Sequence, residues 1–322
     1  MSGMKKSTIK TVLRNKIKDW ISSITDETLQ DQLRKDTLVC GGAIASMLVG
    51  EKINDYDIYF RTFETAKAVA DYYVSVFNHS NGALQLKGVH SSCNPAVKVE
   101  KRFNIKNVEE NRIIIYMKSA GVAGETQEEY QYFESKTEGE TEDFINSLTT
   151  EDPVEIVQEL NEIVKSKDKY RPVFMSENAI TLNNKVQLVI RFYGEPGEIH
   201  NNYDFAHSMC YYDYAKDTLG LHPEALEAVL SKTLIYKGSL YPIASLFRIR
   251  KFYERGWRIT AGQMLKIVWQ LQDVNLKDPA VLREQLIGVD QAYMHQLLRA
   301  LETTTDRVDA TYVAKLIDKI FE

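Results

Sequence analysis

Two carboxylates, Asp55 and Asp57, stand two residues apart in the run Asp55-Tyr-Asp-Ile-Tyr-Phe60. In an extended strand residues i and i+2 share a face. Both carboxylates therefore point the same way, while Tyr56 and Ile58 pack on the other side. Paired oxygen donors of this kind can hold one or two Mg²⁺ or Mn²⁺ ions, which neutralise triphosphate oxygens and align a hydroxyl for in-line displacement. Upstream, Gly41-Gly42 ends the apolar strand Thr37-Leu-Val-Cys40 and opens a helical stretch, Ala43 to Val49. Glycine lets backbone approach a ligand without a Cβ, and the first amides of a helix face outward to a phosphate. Asp55 and Asp57 are thus the expected metal ligands, and Gly41 and Gly42 the expected triphosphate seat.

The elements that must position these residues follow from periodicity. Lys5 to about Ile24 reads as an amphipathic helix, with Ile9, Val12, Leu13, Ile17, Trp20 and Ile21 near helical spacing. A second helix opens behind Asp26 as N-cap. After the glycine turn and the aspartate strand, Glu64 to Val76 reads as helix, and Ala96 to Arg102 and Arg112 to Met117 as strands. Val154 to Val164 reads as helix. Val173 to Leu182 and Lys185 to Phe192 read as a two-strand hairpin across Asn183-Asn184, and Phe205 to Tyr212 is a further apolar run. From Pro223 onward the pattern is helical throughout, at Glu224–Ser231, Tyr241–Arg255, Ala261–Gln272, Pro279–Leu286, Gln291–Leu301 and Asp309–Phe321, with Trp269, Leu271 and Leu297 expected to pack. The expected fold is α+β: a mixed sheet with flanking helices over 1–220, then an all-helical domain over 221–322.

The order strand, Gly-Gly, short helix, then Asp-x-Asp in an apolar strand resembles the nucleotidyltransferase core of the DNA polymerase β superfamily. It is most similar to the head of the tRNA nucleotidyltransferase and poly(A) polymerase family, with Gly41, Gly42, Leu48, Gly50, Asp55 and Asp57 matching. Asn202-Tyr-Asp-Phe-Ala-His-Ser-Met-Cys-Tyr-Tyr-Asp213 is similar to that family's nucleotide-pocket segment through Asp204, Phe205, Met209 and Asp213. Leu246-Phe-Arg-Ile-Arg-Lys-Phe-Tyr-Glu-Arg-Gly-Trp257 is similar to its arginine-bearing helix. The chain departs from the pattern at Ala45-Ser46, at Asn202-Tyr203, and at Gln187, where a third acid is expected. The resemblance implies a nucleotidyltransferase-like fold and transfer of a nucleoside monophosphate from an NTP to a hydroxyl acceptor, favouring an RNA 3′ end over a protein side chain or small molecule. It implies Asp55, Asp57 and Asp204 as catalytic acids. It implies nucleotide contacts from Gly41, Gly42, Ser46, Arg191, Arg248 and Arg250, and Mg²⁺ or Mn²⁺ as cofactor. The competing reading is a non-catalytic descendant that binds nucleotide or RNA or serves as an interaction module.

Composition bounds these readings. The 322 residues are 44% hydrophobic and 26% charged with a net charge of −5, so the whole molecule is not a basic nucleic-acid coat. Residues 121–152 carry ten acids and one base and read as a solvated acidic insert. Lys232 to Arg258 carries seven bases and one acid, with Arg248, Lys251 and Arg255 on one helical face, a strip suited to phosphate. Three scattered cysteines exclude a disulfide framework and fit a reducing, cytoplasmic setting. No apolar run is long enough for a membrane helix. The spacing of His200, His207 and Cys210 invites a zinc reading, but no fourth ligand is nearby in sequence and the region reads as a strand, so His207 is expected as a packed or pocket-lining residue.

Overall fold

A computed structural model describes residues 3–85, 95–103, 109–117, 169–175 and 178–276, together with Val281 and Gln285. The acidic insert, the expected helix at Val154–Val164 and the helices expected beyond Pro279 lie outside the described residues, apart from those last two positions.

The chain divides into two compact units. Among the described residues the first comprises the chain up to Tyr203 and His207–Ser231; the second comprises Asp204–Ala206 and the chain from Lys232 onward.

The first unit begins with helix α1 (Lys6–Ser23), whose Ile9, Leu13, Ile17, Trp20 and Ile21 recur every three to four residues and are all buried. Helix α2 (Glu27–Asp36) starts where Asp26 accepts a hydrogen bond from the Leu29 amide at 3.0 Å, the cap its sequence calls for. Strand β1 (Thr37–Cys40) is buried at every position and runs directly into α3 (Gly42–Val49), which Gly50 ends in the left-handed conformation. β2 (Tyr56–Phe60) and α4 (Phe63–Gln85) follow. Strands β3 (Pro95–Phe103) and β4 (Glu109–Met117) pair antiparallel as a separate ribbon.

The segment expected as one hairpin is three strands, β5 (Pro172–Met175), β6 (Ala179–Leu182) and β7 (Val186–Tyr193). The first expected strand breaks because Asn178 turns the chain. Its carbonyl accepts from the Ile190 and Arg191 amides, and its side chain accepts from Arg112 at 2.7 Å. Asn184 and Lys185 both adopt positive φ at the β6–β7 turn. Helix α5 (Pro196–His200), a 3₁₀ turn (Ala206–Ser208, shared between the two units), β8 (Tyr211–Asp213), β9 (Thr218–Gly220) and α6 (Pro223–Ser231) complete this part of the chain.

Seven strands form one mixed sheet in the order β5-β6-β7-β2-β1-β8-β9, in which β2 and β7 alone are parallel. Alternation gives the sheet two different faces. Val39, Ile58, Phe60, Leu188, Ile190 and Tyr212 join α1, α2 and α4 in the main core. There Trp20 donates to the Tyr73 hydroxyl at 2.8 Å. The opposite face is thinner, with Leu38, Cys40, Tyr59 and Ile199 as a small buried cluster and Tyr203 and Tyr211 packed against it. Asp57 belongs to this second face.

The second unit holds β10 (Thr233–Leu234) paired parallel with β11 (Arg258–Ile259), α7 (Pro242–Glu254) and α8 (Ala261–Leu271). Among the described residues its other regular elements are helical, and a two-residue strand pair is too short for hydrophobic periodicity to reveal. No helix among the described residues is long and apolar enough to cross a membrane.

Candidate active site

The site is built at the junction of β1, α3 and β2. Gly41 caps α3 with φ 88° and ψ −159°, a region open in practice to glycine alone. Its amide donates to the Ser208 carbonyl at 3.1 Å. A Cβ placed on Gly41 would lie 3.3 Å from Asp57 Cγ and closer still to Oδ2. The carboxylate thus occupies the space that the missing side chain leaves. Gly42 is different. It is exposed, and a Cβ there meets nothing within 4 Å. Gly42 is therefore the open point of the first turn of α3, whose Ala43, Ile44 and Ala45 are buried, and the amides of that turn have no intrahelical acceptor.

Asp57 lies opposite Cys40 on β1 and Gln187 on β7. In a pleated sheet such neighbours share a face, so the row through the site reads Thr181, Gln187, Asp57, Cys40, Tyr211. The position beside Asp57 is thus a neutral carboxamide. Asp55 stands just before β2, where the Tyr56 amide donates to the Lys185 carbonyl at 2.7 Å. Both aspartates act on the same neighbour. Burial raises the Tyr59 hydroxyl well above its ordinary pKa, and the charges of Asp57 and, more weakly, Asp55 push the same way. Burial also drives the Cys40 thiol upward, with Asp57 adding to it, so Cys40 is an inert thiol rather than a nucleophile.

Aromatic side chains flank this face. Tyr203 lies 6.1 Å from Tyr59 between ring centroids. The His200 ring is 5.3 Å from Tyr203 and 5.9 Å from Tyr211. Burial pulls the His200 pKa down to about 4, helped by His222. Sequence periodicity did not single out this cluster. Its only signal is the alternation of Cys40, Tyr59 and Tyr211 with core residues on their strands.

The remaining expected site residues are placed as follows. Ser46 is buried inside α3, and its carbonyl accepts from the Glu51 amide at 2.9 Å. Arg191 is four residues beyond Gln187 on β7, about 13 Å along the strand, and its guanidinium lies 4.9 Å from the Phe192 ring centroid. Asp204, Arg248 and Arg250 belong to the second unit. There Arg248 Nη1 donates to Asp204 Oδ2 at 2.6 Å, and Arg250 faces Glu254 at 3.5 Å. The expected catalytic acid Asp204 and the expected nucleotide contact Arg248 are thus each other's partners. His200 and His207 are buried, and among the described residues no group of three or more His, Cys, Asp or Glu could hold a metal.

The donor set nevertheless suits one kind of cation. Two carboxylates and an amide oxygen are hard ligands, too few for a closed cage. Mg²⁺ is commonly held this way, by one or two carboxylates with substrate phosphates and water filling the other positions. Asp55, Asp57 and the Gln187 carboxamide would be the residues to hold such an ion.

A model of the Gabija anti-defense 2 family matches residues 11–232. The chain belongs to that family. The match spans the sheet, the Gly41-Gly42 turn and both aspartates, and ends at the first residue of the second unit's main stretch. A curated relative, "Gabija anti-defense 2" of Bacillus phage SPbetaL7, is 24% identical over 107 residues, which is 33% of this chain and 27% of the relative. Among solved structures, the chain is similar to a Bacillus stearothermophilus CCA-adding enzyme in complex with CTP, at 11% identity and a TM-score of 0.35, covering 88% of this chain and 51% of that one. It is also similar to a Thermotoga maritima CCA-adding enzyme complexed with tRNA, at 12% identity and a TM-score of 0.36, covering 95% and 67%. The matched family is the anti-defense one, not the tRNA nucleotidyltransferase and poly(A) polymerase family whose motifs the sequence resembles. The match covers only about a quarter of the curated relative's length.

Proposed function

We propose that this Gabija anti-defense 2 family member counters Gabija defence in the cytoplasm by nucleotidyl transfer. It takes a nucleoside monophosphate from an NTP and places it on a hydroxyl acceptor, an RNA 3′ end in the first instance. The observation that carries this reading is the fit of the Asp57 carboxylate into the side-chain space of Gly41, beside the exposed Gly42 that begins α3. That arrangement puts negative charge for a cation next to backbone donors for a phosphate.

In this reading Asp55 and Asp57 hold Mg²⁺ or Mn²⁺. When bound, the ion supplies charge neutralisation at the phosphates and lowers the pKa of the acceptor hydroxyl. The first amides of α3 bind the phosphate tail, and the absence of a Cβ at Gly42 leaves room for it. The Tyr59, Tyr203 and Tyr211 face excludes water from one side of the aspartates. The neutral Gln187 leaves the β7 position beside Asp57 without a carboxylate to accept the acceptor's proton. That feature favours the second reading, a nucleotide- or RNA-binding module without transfer.

The test uses purified protein with Mg²⁺ or Mn²⁺, each α-labelled ribonucleotide, and RNA together with protein from cells carrying Gabija. Label entering RNA with wild type but not with Asp55→Asn/Asp57→Asn supports transfer to RNA. Label entering protein moves the acceptor to a side chain. Triphosphate binding without label supports the module, and neither binding nor label overturns both readings.

A further inference from the structure

Helix α8 presents the wrong face. Its inner side is polar. Gln263 Oε1 accepts from the Tyr236 amide at 2.9 Å. Gln270 Oε1 accepts from the Tyr236 hydroxyl at 2.5 Å and from the Ser239 amide at 3.2 Å, and Gln270 Nε2 donates to the Ser239 carbonyl at 2.6 Å. Ile267 is the one fully buried apolar residue of the helix. Its outer side is apolar, with Met264 48% exposed, Leu265 54%, Val268 51% and Trp269 65%. Spaced i, i+1, i+4 and i+5, these four form one stripe. A helix fixed by hydrogen bonds on its polar side with its apolar side outward is half of an interface.

A segment of the same chain begins close to this stripe. Gln285 is buried, and its Nε2 donates to the Leu240 carbonyl at 3.0 Å. Leu240 follows Ser239, the residue that Gln270 holds. The 37 residues after Gln285 therefore set out from beside α8. Within them Gln291–Leu301 carries Tyr293, Met294, Leu297 and Leu298, again spaced i, i+1, i+4 and i+5. It has eleven residues, as α8 has, about 16 Å of helix in each case. The five intervening residues span up to about 17 Å. So short a tether gives this segment an effective concentration that no separate chain matches.

We propose that the apolar stripe of α8 is the bed on which the Gln291–Leu301 segment of the same chain lies as a helix. The test introduces Val268→Cys and Leu297→Cys into the full chain with Cys93→Ser; the other two cysteines, Cys40 and Cys210, are buried. A short bifunctional thiol reagent should join the pair within one molecule. A cross-linked dimer would overturn the proposal in favour of a second copy. Two thiols that label freely without joining would overturn it in favour of a separate protein. Should that variant fail to fold, the full wild-type chain gives an independent readout. Trp20 and Trp257 are buried, so Trp269 dominates acrylamide quenching. Quenching should be weak in wild type and rise two- to threefold with Leu297→Lys/Leu298→Lys. Strong quenching in wild type that the double variant leaves unchanged would overturn the proposal.

Discussion

Replacing Gly41 by alanine tests whether the glycine turn exists to seat Asp57. Two costs add. At φ 88° and ψ −159° a non-glycine residue is strained by about 1–3 kcal/mol. The new methyl also collides with Asp57 Oδ2, so the carboxylate must move or β2 must shift. Gly41 is buried and anchored to Ser208, which limits relief from the backbone side. The expected loss is about 2–4 kcal/mol, consistent with strain plus displacement of a packed group. Gly42→Ala is the internal control. Its Cβ meets nothing, and alanine in the first turn of a helix is worth up to about 1 kcal/mol over glycine. Urea denaturation read by circular dichroism should therefore show Gly41→Ala destabilised and Gly42→Ala equal to wild type or slightly better. Triphosphate binding should fall in both, because Gly41→Ala moves Asp57 and Gly42→Ala fills the ligand's space. Equal stability of Gly41→Ala and wild type would refute the steric argument, and undiminished triphosphate binding in Gly42→Ala would refute the placement of the phosphate.

Four further outcomes are expected. Arg61 donates to the buried Asp213 at 2.6 Å and to Glu195 at 3.0 Å, so Arg61→Ala leaves Asp213 with only Lys216 and should cost about 2–3 kcal/mol in the same denaturation assay. Leu13→Ala removes a fully buried side chain from the face of α1 and should cost about 2–5 kcal/mol. His200 has a folded pKa of about 4, below its ordinary 6.5, so the unfolded chain binds the extra proton between those values. Stability should fall as pH drops from about 6.5 to 4, and His200→Gln should flatten that part of a denaturation-versus-pH curve. Gln187→Glu adds a charge beside Asp57 and should tighten Mn²⁺ binding roughly fivefold, about 1 kcal/mol, measured by calorimetry.

The parts of this fold legible in the sequence are those written by side-chain period or by a single capping atom. The stripe of α1, the Asp26 cap and the alternation in β2 are read directly because burial on one face dictates the residue types. The pairing of Gly41 with Asp57 is suggested by order along the chain, but its steric reason appears only when β1 and β2 stand side by side. The break between β5 and β6 was hidden because Asn178 turns the chain through contacts with Arg112 and β7, both remote in sequence. The Asp204–Arg248 pair was hidden likewise, since 44 residues separate an expected catalytic acid from an expected nucleotide contact. Trp269 was expected to pack and is 65% exposed; an apolar stripe reveals that a helix has a partner face without revealing which element supplies it.

If the carboxylates beside the glycine turn do the anti-defence work, losing them abolishes it. The most direct measurement is the plating efficiency of a Gabija-sensitive phage on cells carrying Gabija that also express this protein. Wild type should restore plaques, whereas Asp55→Asn/Asp57→Asn, expressed at the same level and equally folded, should leave the phage blocked. Full rescue by the double variant would contradict the account, because the protein would then counter Gabija without the carboxylates beside the glycine turn.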